Sequence, residues 1–262
     1  MAKNELRIIA GSHIGSRSEN QDNLVIDRFV AGNKSTFRDF VYQNAIPIRE
    51  DDILYFMVCD GMGGGKDGKE ASGTAARVFS RQLDDLKDQA NPVEVFKLFL
   101  RMNRQIVNYY ENAGGKGGTT CSLLELRGDG TMRVYNVGDS PVYHLSRGRF
   151  RMISQEQNAA GMKRRRGDLT LLPDENGRDK RMLLGYLGDS TERSLLNLYY
   201  SDRLSYERGD YLLLCSDGLT GAIEEERLVD LIEFGTDPQE LIRECRAHPK
   251  NDNITFILLQ IL

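Results

Sequence analysis

Asp52-Ile53-Leu54-Tyr55-Phe56-Met57-Val58-Cys59-Asp60, followed at once by Gly61-Met62-Gly63-Gly64, is a continuous apolar run that stops at a carboxylate and a glycine cluster. Its length and bounding residues predict a buried strand that delivers Asp60 at its end. An aspartate in that place has a rigid base, and the small residues after it let backbone approach whatever the carboxylate holds. Four further stations share the design: Glu19-Asn20-Gln21-Asp22, Gly138-Asp139-Ser140, Ser216-Asp217-Gly218 and Asn251-Asp252-Asn253. Acids repeated in this way predict a site for hard metal ions.

Outward from Asp60 the pattern turns helical. From Glu70, the residues Ala71, Ala75, Val78, Phe79, Leu83 and Leu86 recur at helical spacing. A second helix starts at Asn91-Pro92-Val93-Glu94, with a cap, a proline in the first turn and an acid three residues after the cap. Its stripe is Phe96, Phe99, Asn103, Ile106, Val107 and Tyr110, and Gly114 stops it. Strand-like runs follow at Thr119–Leu126, Met132–Val137, Val142–Leu145 and Phe150–Ile153. The turns between them are too short for crossover helices, so an antiparallel meander is expected. Tyr211–Ser216 is another buried strand, ending in Asp217. Helical patterns at Ile223–Phe234 and Pro238–Cys245 precede a closing strand at Ile254–Leu262. Antiparallel strands interleaved with paired helices predict an α+β domain of two packed antiparallel β-sheets flanked by helices.

The stations run from residue 22 to residue 252 without a linker-like stretch, so one site using all of them must be closed by a single domain spanning 1–262. Residues 155–191 are polar, charged and aperiodic. A segment that long inside a domain is expected to be a functional lid or a disordered segment.

With 40% hydrophobic and 28% charged residues, the chain has the material of an ordinary globular core. No apolar stretch approaches the ~18 residues of a membrane span, and the N-terminus lacks the apolar core of a secretory signal. A cytoplasmic protein, monomeric and without membrane or nucleic-acid partners, is the expectation. The net charge of −4 opposes general nucleic-acid binding. One basic run, Lys163-Arg164-Arg165-Arg166, is either a solvated loop or a docking site for acidic or phosphorylated partners. Cys59, Cys121, Cys215 and Cys245 lack the spacing of zinc or disulfide sites and are expected as buried hydrophobes.

Magnesium and manganese prefer oxygen ligands, which the aspartates supply; the three histidines are isolated. Two ions ~4 Å apart can share a carboxylate and clamp a phosphoryl group. Asp60 is the natural bridge, with the Gly61 carbonyl as a further ligand. Asp217 and Asp252 would complete one ion, and Asp139 is a further candidate that also suits a plain turn. Arg17, five residues before Asp22, offers a guanidinium fork for phosphate. Gly63-Gly64-Gly65-Lys66-Asp67-Gly68 matches a dinucleotide fingerprint, but the helical pattern continues where that fold needs a second strand ending in an acid. Gly63 to Lys69 also imitates a P-loop, yet Glu70 stands where a magnesium-holding hydroxyl belongs.

Taken in order, Arg17 with Glu19-Asn20-Gln21-Asp22, Val58-Cys59-Asp60-Gly61-Met62-Gly63-Gly64, Gly118-Thr119-Thr120, Asn136-Val137-Gly138-Asp139-Ser140, Leu214-Cys215-Ser216-Asp217-Gly218-Leu219 and Asp252-Asn253-Ile254-Thr255 resemble the metal-dependent PPM, or type 2C, serine/threonine protein phosphatases. The resemblance implies an α-β-β-α sandwich with a binuclear Mn2+ or Mg2+ centre and a third, weaker site at Asp139. It implies that Asp60 bridges, that the Gly61 carbonyl, Asp217 and Asp252 serve as ligands, that Asp22 holds water and that Arg17 binds phosphate. The implied activity is hydrolysis of phosphoserine and phosphothreonine on a phosphorylated protein by metal-activated water, opposing a bacterial Ser/Thr kinase. Met62, in place of a histidine common in eukaryotic members, points to the bacterial branch. The resemblance also implies that residues 155–191 form the family's flap, which shapes substrate access. Departures at Gln21, Gly65, Pro141 and Gln155-Glu156-Gln157-Asn158 spare the first carboxylates and bear on water ordering, the third site and that flap. Two alternatives stay open: a non-catalytic module sensing phosphopeptides or metal, and a phosphatase of a partner-switching stress pathway.

Overall fold

The computed structural model of the protein describes residues 4–31, 39–63, 66–89, 91–167, 179, 182–235, 237–248 and 252–262. Along the chain the strands are β1 (Asn4–His13), β2 (Asn23–Ile26), β3 (Phe29–Val30), β4 (Asp39–Ile48), β5 (Ile53–Cys59) and β6 (Gly61–Gly63). Helices α1 (Lys66–Gln89) and α2 (Pro92–Ala113) come next, followed by β7 (Gly117–Thr119), β8 (Cys121–Arg127), β9 (Thr131–Val137), β10 (Val142–Ser146) and β11 (Arg149–Met152). The short helix α3 (Ala159–Arg165) precedes β12 (Tyr199–Tyr200), β13 (Leu204–Ser205) and β14 (Tyr211–Cys215). Helices α4 (Asp217–Thr220), α5 (Glu225–Glu233) and α6 (Pro238–Ala247) lead into the final strand β15 (Ile254–Ile261).

Two antiparallel sheets carry the fold. One has the order β11-β10-β14-β15-β1-β4; the other has the order β12-β9-β8-β5-β2-β3, with β13 also on β9. Side-chain alternation along the strands explains why they stack. In β5, Phe56 and Val58 pack with Leu124, Leu126, Leu212, Leu214, Ile257 and Leu259 between the sheets. The alternate residues Tyr55, Met57 and Cys59 pack outward against Ala75, Phe79 and Leu83 of α1 and Phe99, Met102 and Ile106 of α2. The other sheet does the same: Leu213, Cys215, Phe256 and Leu258 turn outward onto Leu228, Leu231 and Ile232 of α5 and Leu241, Ile242 and Cys245 of α6. Both sheet faces are therefore covered, and this is why the central strands read as unbroken apolar runs. Each fully buried side chain of this size contributes about 1.5–3 kcal/mol. The layers are those expected from sequence, helices on sheet on sheet on helices.

The helix signals hold locally. Asn91 caps α2 by accepting from the backbone N–H groups of Val93 and Glu94, and Gly114 ends it with φ +72 and an N–H donated to Tyr110 O. One member of its expected stripe, Phe96, is instead exposed, and Val95, Leu98 and Met102 take the inner face. The four cysteines are free and buried, as expected.

The expected meander is corrected. Strand β9 pairs with β8, β12 and β13, whereas β10 pairs with β11 and β14 in the other sheet. The turn at Gly138–Pro141 thus passes from one sheet to the other, so what looked like one meander is two hairpins. Gly138 makes the corner: its φ is +103, and a Cβ there would stand 2.6 Å from Thr120 Cγ2. Every strand pair among the described residues is antiparallel, which removes the dinucleotide fold that the glycine run imitates. Among the described residues, no helix is long and apolar enough to cross a membrane.

Candidate metal centre

Four of the stations meet at one end of the stacked sheets. Asp60 follows β5 directly, Asp139 follows β9, Asp217 opens α4 after β14, and Asp252 stands two residues before β15. All four line one cavity of about 510 Å³, together with Gly61 and Arg17. Station residues Gly64 and Asn251, and Gly65 of the glycine run, lie outside the described residues.

Backbone bonds fix Asp60 and leave its carboxylate out of the clamping. Its N–H donates to Thr120 Oγ1 at 2.9 Å, and its carbonyl accepts from Thr120 N and Thr119 Oγ1, both at 2.9 Å. Gly61 must be glycine, because a Cβ would lie 2.2 Å from Gly68 O and 2.4 Å from Gln21 O, both backbone atoms. Gly218 has the same function beside Asp217, where a Cβ would lie 1.9 Å from Asn253 O. Close backbone packing at these two glycines draws the Asp22, Asp60, Asp217 and Asp252 segments together.

Asn253 is the knot of that packing. Its Nδ2 donates to Ile14 O at 2.8 Å and Glu19 O at 3.0 Å, and its Oδ1 accepts from Gln21 N at 2.8 Å. The loop carrying Arg17 is thereby tied to the station carrying Asp252. Arg17 Nη2 donates to Asp252 Oδ2 at 2.5 Å. Asp139 is half-buried, and its Oδ2 accepts from Asn158 Nδ2 at 3.0 Å. Asp22 does not line the cavity. It is buried, with Oδ2 accepting from Ser216 Oγ at 2.8 Å and Oδ1 without any hydrogen-bond partner.

So many carboxylates in one recess hold on to protons. Burial, with the Asp217 and Asp252 carboxylates adding repulsion, pushes Asp22 up to about 7 against the opposing bond from Ser216. Burial likewise pushes Asp139 up to about 6, in spite of the Asn158 amide. Asp60 is driven well above the usual carboxylate range by burial and then by Asp22, Asp217, Asp139 and Asp252. Among the described residues, no three Asp, Glu, His or Cys side chains stand as a finished metal cage. The donor set nevertheless fits hard divalent cations: all-oxygen, overloaded with negative charge, and including a buried carboxylate oxygen with no partner.

Sequence reasoning assigned no role to several residues that matter here. Asn253 and Ser216 sit inside the acidic stations, so the signal was a polar neighbour of each acid; Thr120 stands apart from every station, in Gly118-Thr119-Thr120. Leu183, which also lines the cavity, carries no such signal. His144 lies in the sheet with its Nε2 2.8 Å from Asp210 Oδ2, away from the cavity.

The 155–191 segment is more ordered at its ends than its composition implies. Asn158 caps α3 through its Oδ1, which accepts from Gly161 N. Gln157 bridges Gly138 N, Asn136 O and Asn197 O. At the other end, buried Asn103 of α2 accepts from Gly188 N at 2.7 Å and Asp189 N at 3.1 Å and donates to Asp189 O. Residues 168–178 lie outside the described residues.

Comparison with known proteins adds the following. The family described as stage II sporulation protein E (SpoIIE) matches residues 50–261. The chain is similar to the serine/threonine phosphatase stp of Listeria welshimeri, 28% identical over 220 residues, covering 80% of this chain and 86% of that protein. Among solved structures it superposes on the serine/threonine phosphatase Stp1 of Staphylococcus aureus with a TM-score of 0.77 at 19% identity, covering 100% of this chain and 96% of that one. A TM-score of 0.72 at 20% identity relates it to the catalytic domain of serine threonine protein phosphatase PstP in complex with 2 manganese ions, covering 99% and 100% of the two chains. At such identities the structural likenesses carry the fold.

Proposed function

The chain belongs to the SpoIIE/type 2C (PPM) phosphatase family, and from that premise we propose that it hydrolyses phosphoserine and phosphothreonine on proteins, opposing a bacterial serine/threonine kinase. The observation that carries the proposal is the gathering of Asp60, Asp139, Asp217 and Asp252 with Arg17 around one cavity. In this reading Asp60, the Gly61 carbonyl, Asp217 and Asp252 hold two Mn2+ or Mg2+ ions, with Asp139 serving a third. Such ions, when bound, neutralise phosphoryl oxygens and lower the pKa of water toward neutrality.

The chain's own groups do the rest. Arg17, more than half exposed, leaves Asp252 and turns its fork onto the phosphate. Water in the cleft attacks phosphorus; Asp22, given by the resemblance the role of holding that water, is buried outside the cavity lining and bonded to Ser216, so it takes that role when water enters to its unpartnered Oδ1. The bond from phosphorus to the serine or threonine oxygen breaks, and a proton from water completes the hydroxyl product. Met62 lines the cavity where no imidazole is at hand to supply that proton.

Support comes also from the likeness to phosphatases named above. A second substrate class in the same reading is a phosphorylated regulator in a partner-switching pathway, and a substrate panel containing both classes separates the two. The basic test is phosphopeptide turnover with Mn2+, with and without chelator, in the parent and in Asp217→Asn. Turnover should disappear with chelator and fall at least about 100-fold in the variant, as loss of a metal ligand does. Turnover indifferent to both treatments would defeat the reading.

A further inference from the structure

A second cavity, of about 760 Å³, lies outside the acidic centre. Arg165 and Arg166, at the end of α3, line it together with Met162, Leu196, Tyr199 and Tyr200. None of its lining residues is acidic, although the chain as a whole carries a net charge of −4 and the metal centre is walled by aspartates.

The basic run singled out in the sequence divides into two halves. Lys163 pairs with Asp179 and Arg164 with Glu156, so those charges are met within the fold. Arg165 donates to the neutral backbone carbonyl of Glu156, and Arg166 is exposed with no ion pair among the described residues. Two adjacent cationic forks lining this cavity therefore have no acidic partner among the described residues. The same cavity is lined by exposed apolar side chains: Leu196 is 84% exposed and Tyr200 is 59% exposed. Large apolar side chains left in solvent beside unpaired cations mark a contact surface. Tyr200 also belongs to β12, the last strand of its sheet, so a further backbone can lie alongside it.

The cavity is also joined to the metal centre. An intermediate trough of about 550 Å³ shares Asp139 and Asp217 with the centre, and it shares Gln155 and Arg165 with the basic groove. The three recesses thus neighbour one another through shared residues. Gln157, which lines the basic groove, is held in place, because its Nε2 donates to Asn197 O at 2.6 Å and its Oε1 accepts from Gly138 N at 3.0 Å.

We propose that this groove docks an acidic segment with an apolar side chain, carried by the phosphoprotein substrate itself, while its phosphorylated residue occupies the metal centre. The proposal rests on the phosphatase reading. Carboxylates of the segment would meet the Arg165 and Arg166 forks, and its apolar side chain would cover Leu196 and Tyr200. Two adjacent arginines and exposed apolar side chains suit a peptide; a nucleic acid would ask for a wider basic face.

The test uses the full chain with Mn2+ and phosphothreonine peptides of about 15 residues, long enough to extend beyond one strand-length contact. A Gly-Ser spacer joins the phosphoresidue to either Asp-Leu-Glu or Lys-Leu-Lys, placed on either side. The parent should show a KM about 5- to 20-fold lower for the acidic peptide, in the range of exposed charge pairs plus one apolar contact. R165E/R166E should abolish that preference, R166E and Leu196→Asp should each reduce it, and turnover of p-nitrophenyl phosphate should be unchanged in all three. Equal KM values for the two peptides in the parent, or a preference that survives R165E/R166E, would overturn the proposal. If no substrate at all is turned over, the phosphatase reading has failed instead. Docking is then decided by fluorescence anisotropy of the unphosphorylated acidic peptide: binding lost in R165E/R166E supports it, and absence of binding to the parent overturns it.

Discussion

Arg17 and Asp252, separated by 235 positions in the chain, meet through a single 2.5 Å bond from Nη2 to Oδ2. In the proposed function Asp252 serves a metal ion and Arg17 the phosphate, and that reading requires the guanidinium to exchange partners when substrate binds. Replacing Arg17 with Ala should raise KM for a phosphopeptide about 10- to 100-fold, the range of a hydrogen bond to a charged group, and Lys should recover part of it. Mn2+ affinity should not fall in Arg17→Ala, because Asp252 is released. Steady-state kinetics and calorimetry check both; an unchanged KM would remove Arg17 from phosphate binding.

The carboxyls of Asp22 and Asp139 are raised to about 7 and about 6, mainly by burial. Between the ordinary carboxylate pKa of about 4 and these values, the folded chain binds more protons than the unfolded one. Metal-free stability contributed by these groups is therefore greatest at acid pH and is lost as pH rises through about 7. Mn2+ needs the deprotonated carboxylates, so its stabilisation should be small near pH 5.5 and large near pH 8, both approximate. Tm measured with Mn2+ and with chelator across that range checks the sign. Asp22→Asn should flatten the metal-free slope. A Mn2+ shift in Tm that is equal at both ends would contradict the assignment.

Asn253 makes three side-chain bonds that hold the Arg17 loop to the Asp252 station. Asn253→Ala should cost about 2–3 kcal/mol, at roughly 1 kcal/mol per bond. It should also raise phosphopeptide KM by loosening Arg17, and Asn253→Asp should recover neither the stability nor the KM, since Asp cannot donate to Ile14 and Glu19. Denaturant unfolding together with kinetics distinguishes this from a purely structural loss, which would leave KM alone.

At Gly218, a Cβ would lie 1.9 Å from the carbonyl oxygen of Asn253, and backbone at that site has nowhere to retreat. Gly218→Ala should therefore destabilise by more than about 2 kcal/mol, the scale of an overpacked interior. Gly209, with open space around its Cβ position, is the matched control for added bulk, its φ of +95 alone carrying a smaller penalty. Equal unfolding midpoints for the two Ala variants would show that the close approach is absent.

Much of this arrangement was legible in the residues. Runs such as 53–59 and 211–215 are apolar or aromatic at every position because each sheet is covered on both faces, and that alone points to a layered fold. Asp60 and Asp217 announce themselves by ending such runs. Less visible were β1 and β4. The edge strand β4 carries Gln43, Asn44 and Pro47, and tolerates them because, among the described residues, one side of it has no partner strand. Crossing between sheets at Gly138–Pro141 was also hidden, since a four-residue turn looks alike whether its strands pair together or apart. Phe96 was misplaced because it sits one position beyond the inner face set by Val95, Leu98 and Phe99. At the site, the acids could be found singly; their dependence on Asn253 and Ser216 could not, because those bonds join segments more than 190 positions apart.

Direct titration of Mn2+ into the metal-free chain tests the central claim, followed by calorimetry and by the fluorescence or absorbance of the protein, with the parent and Asp60→Asn compared at matched folding. Binding of at least two ions by the parent, and loss of tight binding in the variant because the shared bridge is gone, is the expected result. An Asp60→Asn protein that is folded and binds Mn2+ with the parent's stoichiometry and affinity would contradict the account.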